Sequence, residues 1–175
     1  MTIPYYHVDA FSGEAFSGNP AGVCILPEWL PDALMQSMAA EHNLSETAFL
    51  VEEESGWSIR WMTPLAEVDL CGHATLAAAH VLFRHREWTA PGITFQSRSG
   101  PLKVTRHGNL LTLDFPATPA VACEIPDGLI QGLGIGPLEV WKSADYLVLL
   151  ESEAAVRALG PDPEVAHGCG HEGRV

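Results

Sequence analysis

Basic residues are scarce in this chain. Nine Lys and Arg stand against 22 Asp and Glu, which gives a formal net charge of −13 at pH 7, and the nine are scattered rather than clustered. Because proteins bind a phosphate backbone through clustered Lys and Arg, this composition argues against a nucleic-acid partner. The acidity says little about a small substrate, which responds to the local field of its site.

Long apolar runs and paired cysteines are also missing. No run approaches the ~20 residues that a membrane span needs, and Met1–His7 lacks the basic start and apolar core of a signal peptide. Four cysteines (Cys24, Cys71, Cys123 and Cys169) are widely spaced, unlike a disulfide framework or a paired zinc motif. We therefore expect a reduced, cytoplasmic protein with no membrane partner.

The residues that are present indicate a globular α+β protein. The hydrophobic fraction is 47% and the charged fraction 18%, which is typical of a chain with a packed core. Apolar residues at helical spacing predict helices over 32–42 and 72–85. The second is apolar on nearly every face, so it must be buried on every side, and a sheet curled around it satisfies that need. Short apolar runs bounded by turn residues predict strands at 5–11, 21–26, 47–52, 57–62, 93–98, 102–106 and 110–115.

A proline-rich segment at 116–119 marks a domain boundary, which divides the chain into a first domain (1–115) and a second part (116–175). In the second part, 139–151 contains two strand-like runs, and 152–159 is a short helix capped by Ser152. The Gly-rich run at 132–136 lacks the Lys of a phosphate loop and is expected to be a loop. About 60 residues are few for an independent core. The second part is therefore incomplete or packs against something else.

The segment that leads into the second helix carries the clearest chemistry. The first turn of a helix has unpaired N–H groups and partial positive charge. A glycine lets a ligand approach that backbone, so Gly72-His73 is a candidate site for a carboxylate or phosphate. Cys71 at the helix start is a candidate acid/base whose thiolate the helix would stabilise, or a small packed thiol. His73 is a candidate binding residue, or a histidine that caps or packs at the helix start.

Glu46 is the candidate acid/base in the first domain. It enters a strand of otherwise apolar residues, where a half-buried carboxylate is suited to moving protons near neutral pH. The alternative is an exposed glutamate at a strand end. A third cluster, His167, Cys169 and His171, alternates like metal ligands, but three glycines and the lack of a fourth ligand argue against zinc there. We expect no metal and no cofactor.

Several short motifs occur in the order and spacing of one known family, between positions 8 and 77, and together they are highly specific. The motifs are Val8-Asp9-Ala10-Phe11, Gly18-Asn19-Pro20-Ala21-Gly22-Val23, Leu44-Ser45-Glu46-Thr47-Ala48-Phe49, Thr63-Pro64 and Leu70-Cys71-Gly72-His73-Ala74-Thr75-Leu76-Ala77. In this region the chain resembles the PhzF-like proteins of phenazine biosynthesis, and 139–151 resembles the start of that family's second domain.

This resemblance implies a diaminopimelate-epimerase-like fold, in which two similar domains each wrap an antiparallel, barrel-like sheet around a central helix. It also implies cofactor-independent proton transfer on small carboxylates, in a cleft between the domains. In that family the glutamate of the Ser-Glu-Thr motif, here Glu46, is the general acid/base, and the Gly-His pair, here Gly72-His73, helps to hold the substrate. Related amino-acid epimerases use cysteines at helix starts, which is the position of Cys71.

The second half departs from the family. Members usually have a second central helix, entered through an Asp-Pro-Val-Thr-Gly-Ser-type motif that supplies the other half of the site, and this chain contains no such motif. Residues 164–175 resemble nothing in the family. We therefore expect a partial second domain with an atypical tail.

The leading hypothesis is an isomerase or epimerase that moves a proton on a small carboxylate-bearing metabolite. One alternative is a truncated, catalytically silent domain that acts only as a folded or oligomerising module. Another is a small-ligand binder that uses Gly72-His73 alone. Because an incomplete second domain leaves apolar residues at 147–150 without partners, we also expect a homodimer.

Overall fold

The computed structural model describes residues 2–14, 16–54, 56–126 and 128–161, and the chain divides into two units between Phe115 and Pro116. Within these ranges, no helix combines the length and the apolar character that crossing a membrane requires. The first unit consists of β1 (Tyr5–Ala10), β2 (Asn19–Leu26), α1 (Asp32–His42), β3 (Glu46–Glu53), β4 (Gly56–Met62), β5 (Glu67–Val68), α2 (Gly72–His85), β6 (Gly92–Ser97), β7 (Gly100–His107) and β8 (Leu110–Asp114).

The strands of the first unit form one sheet in the order β1-β2-β3-β4-β6-β7-β8, and β5 pairs with β4. Most neighbours are antiparallel, as expected, but β2 pairs with β3 and β4 pairs with β6 in parallel. Parallel neighbours need a crossover connection, usually a helix. α1 is the crossover between β2 and β3, and α2 lies in the connection from β4 to β6. The sheet is therefore mixed, because each helix of this unit returns the chain to the same end of the sheet.

The helix α2 is the centre of the first unit, which confirms the predicted buried helix. Nine of its 14 residues are buried. Its alanines, Ala74 and Ala77 among them, pack with side chains from β2, β3, β4, β6 and β7 in the main hydrophobic core. Small side chains let the strands approach the helix closely on several sides. The curled sheet thus buries the apolar surface of the helix, and the helix buries the inner face of the sheet.

The strand β3 is buried on both faces, and this decides where Glu46 points. Ala48 and Leu50 pack in the core around α2, whereas Phe49 and Val51 pack in a second core with α1. Side chains alternate between the two faces of a strand. Glu46 is therefore on the face of Ala48, towards α2.

The ends of the elements follow local backbone chemistry. α1 is capped at its C-terminal end by Asn43, which adopts the left-handed conformation and donates its N–H to the carbonyl of Ala39 at 3.1 Å. β1 ends one residue before the predicted 11, because Phe11 has a φ of 67° and leaves the strand. The turn between β7 and β8 contains Gly108, whose φ of 61° lies in the left-handed region that glycine adopts readily.

The second unit contains a small antiparallel sheet in the order β11-β10-β9. The two strands predicted within 139–151 and the helix capped by Ser152 are present, and the Ser152 hydroxyl accepts the N–H of Ala155 at 3.1 Å. Leu147 and Leu149 are exposed, and the expected homodimer stays a prediction. The elements are β9 (Val121–Ala122), α3 (Leu129–Leu133), β10 (Glu139–Lys142), β11 (Tyr146–Leu149) and α4 (Glu153–Arg157).

The prediction of a loop at 132–136 is wrong for its first two residues, which are the last two residues of α3. Buried Leu129 holds this short helix against the unit, and Gly134, with a φ of 72°, ends it. The motif His167, Cys169 and His171, and the tail 164–175 as a whole, lie outside the described residues.

Candidate active site

The start of strand β3 and the start of helix α2 lie next to each other, on the side of the sheet that faces α2. Glu46 is the first residue of β3, and Cys71 precedes α2, whose first two residues are Gly72 and His73. The structure therefore brings together all four of the candidate residues that the sequence identifies. The parallel pairing of β3 with β2 and the crossover through α2 create this meeting point.

Glu46 and His73 are in direct contact. Glu46 Oε2 lies 3.3 Å from His73 Nε2, and the two side chains are 20% and 9% exposed. The contact is not a well-directed hydrogen bond, since Oε2 is buried and has no hydrogen-bond partner among the described residues. A buried carboxylate oxygen without a partner is costly to maintain. Such a group is a candidate for binding or chemistry.

Ser45 is a site residue that the sequence analysis did not single out. Its hydroxyl lies 3.3 Å from His73 Nε2, so the same ring nitrogen faces both a hydroxyl and a carboxylate. The same hydroxyl is 3.5 Å from the carbonyl oxygen of Pro20. Its place beside Glu46 in the Ser-Glu-Thr motif is the one signal in the sequence that could have identified it.

Cys71 is buried, which favours the second of its two interpretations, a small packed thiol, over the thiolate. Burial raises the pKa of its thiol to about 12, and the nearby Glu46 carboxylate raises it further, although the N–H groups of Ala74 and His73 act in the opposite direction. The N–H groups at the helix start therefore lower the pKa of Cys71 as predicted, but desolvation raises this pKa by a larger amount. The protonated Sγ lies 3.5 Å from His73 Nδ1, and the thiol can donate its hydrogen to that nitrogen.

Gly72 is explained by packing within the first unit. A Cβ at this position would lie 2.9 Å from Cε2 of the Phe115 ring. The side of the residue on which a Cβ would stand is thus filled by the protein itself. What Gly72 can offer a ligand is its backbone N–H in the first turn of α2.

A second contact on the opposite face of β3 holds the strand next to Glu46. Thr47 is buried and its hydroxyl lies 3.0 Å from His42 Nδ1, at the end of α1. Burial lowers the pKa of His42, so its ring is neutral at pH 7 and its Nδ1 can accept a hydrogen bond from the Thr47 hydroxyl. A Cβ on Gly22 would lie 2.8 Å from Thr47 Oγ1, so the neighbouring strand is closely packed here. This packing fixes the start of β3.

The three titratable groups also form a possible ligand set. One ligand atom from each of Glu46, Cys71 and His73 lies within 4.8 Å of the others. The sequence shows a regular spacing of possible metal ligands only in the tail. Glu46 lies in a different segment from Cys71 and His73, so the sequence gives no sign of this set, and only the fold brings the three residues together.

Comparison with known proteins gives consistent matches. The family model for phenazine biosynthesis-like proteins matches residues 8–175, so the expectation that 164–175 resembles nothing in the family is wrong. Two uncharacterized isomerases of Pseudomonas aeruginosa are 55% identical over 163 residues and 49% identical over 162 residues. Each alignment covers 93% of this chain and 62% of the relative, so the chain spans less than two thirds of these relatives' length.

A solved structure also matches. The crystal structure of a PhzF-family phenazine biosynthesis protein from Enterococcus faecalis aligns with a TM-score of 0.87 and 44% sequence identity, over 94% of this chain and 64% of that one. This agreement confirms the expected diaminopimelate-epimerase-like fold over the part that the chain covers. With the family model matching nearly the whole sequence, the chain belongs to the family of phenazine biosynthesis-like proteins.

Proposed function

We propose that this protein is a cofactor-independent isomerase or epimerase that moves a proton on a small carboxylate-bearing metabolite. The observation that carries the proposal is the buried Glu46 Oε2, which lacks a hydrogen-bond partner in the described part of the chain and lies 3.3 Å from His73 Nε2. The name isomerase, which the two Pseudomonas aeruginosa relatives bear, supports the same class of reaction.

In this proposal Glu46 is the general acid/base. Its carboxylate removes a proton from the carbon next to the substrate carboxylate and returns it to another position or the other face. General acid–base catalysis of this kind contributes about 10²- to 10⁴-fold in rate. The exposed fifth of the Glu46 side chain gives a substrate access to the group.

His73 and the start of α2 bind the substrate carboxylate. The first-turn N–H groups and the helix dipole favour an anion there. Without His73, that anion and the Glu46 carboxylate would repel each other, and an imidazole between them reduces the repulsion. The Cys71 thiol on Nδ1 and the Ser45 hydroxyl on Nε2 support a fixed ring orientation. Cys71 thus serves this proposal as a positioning thiol, with direct proton transfer as the alternative.

The test is exchange of a substrate C–H proton with solvent deuterium. The full chain is incubated in D₂O with a panel of small amino and hydroxy acids, and deuterium incorporation is read by mass spectrometry. We expect Glu46→Gln to reduce the exchange rate by about 10²-fold or more. Glu52→Gln, on an exposed glutamate further along β3, is the matched control and should leave the rate unchanged.

Two outcomes would contradict the proposal. One is exchange that persists at the wild-type rate in Glu46→Gln. The other is a panel acid that binds to the chain but never exchanges its proton, which would favour the catalytically silent module instead.

A further inference from the structure

Glu46, Cys71 and His73 present three kinds of metal ligand, a carboxylate oxygen, a sulfur and an imidazole nitrogen, to one small volume. We propose that these side chains bind a divalent cation of the zinc class, and that the bound ion inhibits proton transfer by Glu46. Binding of the ion stands on the geometry alone. Inhibition rests on the proposed function.

The distances suit such an ion. Tetrahedral zinc, with bonds of 2.0 to 2.3 Å to oxygen, nitrogen and sulfur, places its ligand atoms about 3.3 to 3.8 Å apart. Here Cys71 Sγ is 3.5 Å from His73 Nδ1, the ring nitrogen that lies next to the sulfur. The three ligand atoms lie within 4.8 Å of one another, so side-chain movements of about 1 Å complete the set.

His73 is held in a way that suits a metal ligand. Its Nδ1 faces the Cys71 sulfur, and its Nε2 faces the Ser45 hydroxyl at 3.3 Å. An ion on Nδ1, next to the sulfur, leaves the Nε2–H to donate to Ser45. A metal-bound histidine in a protein commonly donates a hydrogen bond from the N–H of its second ring nitrogen. This hydrogen bond fixes the tautomer and the ring orientation.

Charge also favours the ion. The Glu46 carboxylate lacks a hydrogen-bond partner on Oε2 among the described residues, and a cation supplies one. When the ion binds, the bond from sulfur to hydrogen breaks, a bond from sulfur to metal forms, and the proton passes to solvent. A thiolate and a carboxylate then balance the two positive charges. Three protein ligands leave one position for water or a substrate carboxylate, as in open zinc sites.

Inhibition follows from the choice of ligands. The oxygen that accepts the substrate proton in the proposed reaction would be bonded to the ion, and the imidazole that faces the substrate carboxylate would be occupied. Because the set has three protein ligands rather than the four of a structural zinc site, we expect a chelator to remove the ion. The free concentration of such a cation would then regulate the site.

The first experiment titrates the full chain with Co²⁺, a spectroscopic substitute for zinc. A thiolate bonded to Co²⁺ gives a charge-transfer band in the near ultraviolet, and Zn²⁺ should displace it. We expect Cys71→Ser to abolish the band or to weaken Co²⁺ binding about tenfold or more. The controls are Cys123→Ser, in the second unit, and Cys169→Ser, in the tail. A band that survives Cys71→Ser and disappears in Cys169→Ser would overturn the proposal.

A second variant, Glu46→Gln, tests the site even if Cys71→Ser does not fold. Glu46→Gln retains the shape of the side chain and removes its charge, so we expect about tenfold weaker Zn²⁺ binding by calorimetry. Unchanged affinity in both Glu46→Gln and His73→Gln would overturn the site. Zn²⁺ binding that depends on these residues, in a chain that exchanges no substrate proton, would support the site and contradict the proposed function.

Discussion

The Glu46 carboxylate lies 3.3 Å from the His73 imidazole, although one residue opens a strand and the other a helix. The contact depends on the register in which Glu46 of β3 pairs with Ala21 of β2. A slip of one residue would turn every side chain of β3 to the opposite face. Glu46 would then point towards α1, and the site would not exist. The buried apolar residues of β3 therefore maintain the site as well as the fold.

A carboxylate kept in this position should reduce stability, which gives a first prediction. Glu46→Gln should leave the free energy of unfolding unchanged or raise it by up to about 1 kcal/mol, because it removes a buried charge. The measurement is urea denaturation of the variant and the wild type. Glu52→Gln, at an exposed position, should change stability by no more than about 0.5 kcal/mol. A loss of 2 kcal/mol or more in Glu46→Gln would mean that Glu46 is a structural residue.

Gly72 gives a second prediction, since its missing side chain makes room for Phe115. Gly72→Ala places a Cβ 2.9 Å from the ring, so the ring or the helix must shift. We expect a loss of about 1 to 3 kcal/mol in the free energy of unfolding, which is the usual cost of overpacking. Urea denaturation of the variant measures it.

Two variants separate packing from other effects of an added methyl group. Gly136→Ala adds the same group where nothing lies within 4 Å of the new Cβ, so it should cost much less. Phe115→Leu replaces the ring with a smaller side chain. The double variant Gly72→Ala/Phe115→Leu should therefore lose less stability than the two single variants lose in total. Additive losses would show that the contact between Gly72 and Phe115 does not govern the choice of glycine.

The elements of the first unit could be predicted because each is encoded locally. Helix α2 is apolar on nearly every side, and the stop at Asn43 is a local C-terminal signal. The parallel pairs are different. The residues of β2 and β3 do not by themselves predict that the two strands pair in parallel. The two-residue β5 is too short to produce an alternating apolar pattern. Those features depend on how the helices return the chain to the sheet.

The candidate site was predictable residue by residue but not as an arrangement. Glu46 and His73 lie in recognisable motifs, and their contact joins two segments that no local pattern connects. For the same reason the sequence leaves open whether Cys71 is a reactive thiolate or a small packed thiol. A helix start is visible in the sequence, whereas the depth of burial that outweighs it is set by the folded sheet.

The buried thiols give a third prediction, on pH. Burial raises the pKa of both Cys24 and Cys71 from 9.0 to about 12 in the folded chain. The unfolded chain therefore releases these protons first as pH rises. Stability should be fully present below about pH 9 and should fall progressively towards about pH 12, by up to about 1.4 kcal/mol per pH unit for each thiol.

Denaturation midpoints across this alkaline range measure the slope. Cys24→Ala removes one of the two thiols and should reduce the slope, whatever it does to stability at neutral pH. Cys123→Ala, at a partly exposed position, is the control for a thiol outside the core of the first unit. An identical slope in Cys24→Ala and the wild type would show that other groups cause the alkaline loss.

The last prediction concerns Arg60, whose guanidinium ties the segment before α2 to the sheet. It donates two hydrogen bonds of 2.7 Å to the Glu67 carboxylate and lies 2.9 Å from Asp32 Oδ1. The side chains of Arg60 and Glu67 are 18% and 14% exposed, so Arg60→Met leaves a largely buried carboxylate with Arg98 alone, at 2.8 Å. We expect a loss of about 2 to 3 kcal/mol, since removing one partner of a buried pair leaves the other without compensation.

The pair of Arg157 and Glu153 on α4 offers a comparison within the same molecule. Its distance is also 2.7 Å, but its side chains are 78% and 77% exposed. Water screens an exposed pair, so Arg157→Met should cost no more than about 0.5 kcal/mol, and high salt should abolish that cost. The Arg60→Met loss should persist in high salt, because a buried pair is screened much less. Equal losses in the two variants would mean that burial does not set the strength of these pairs, and that β5 is held in place by its backbone pairing with β4.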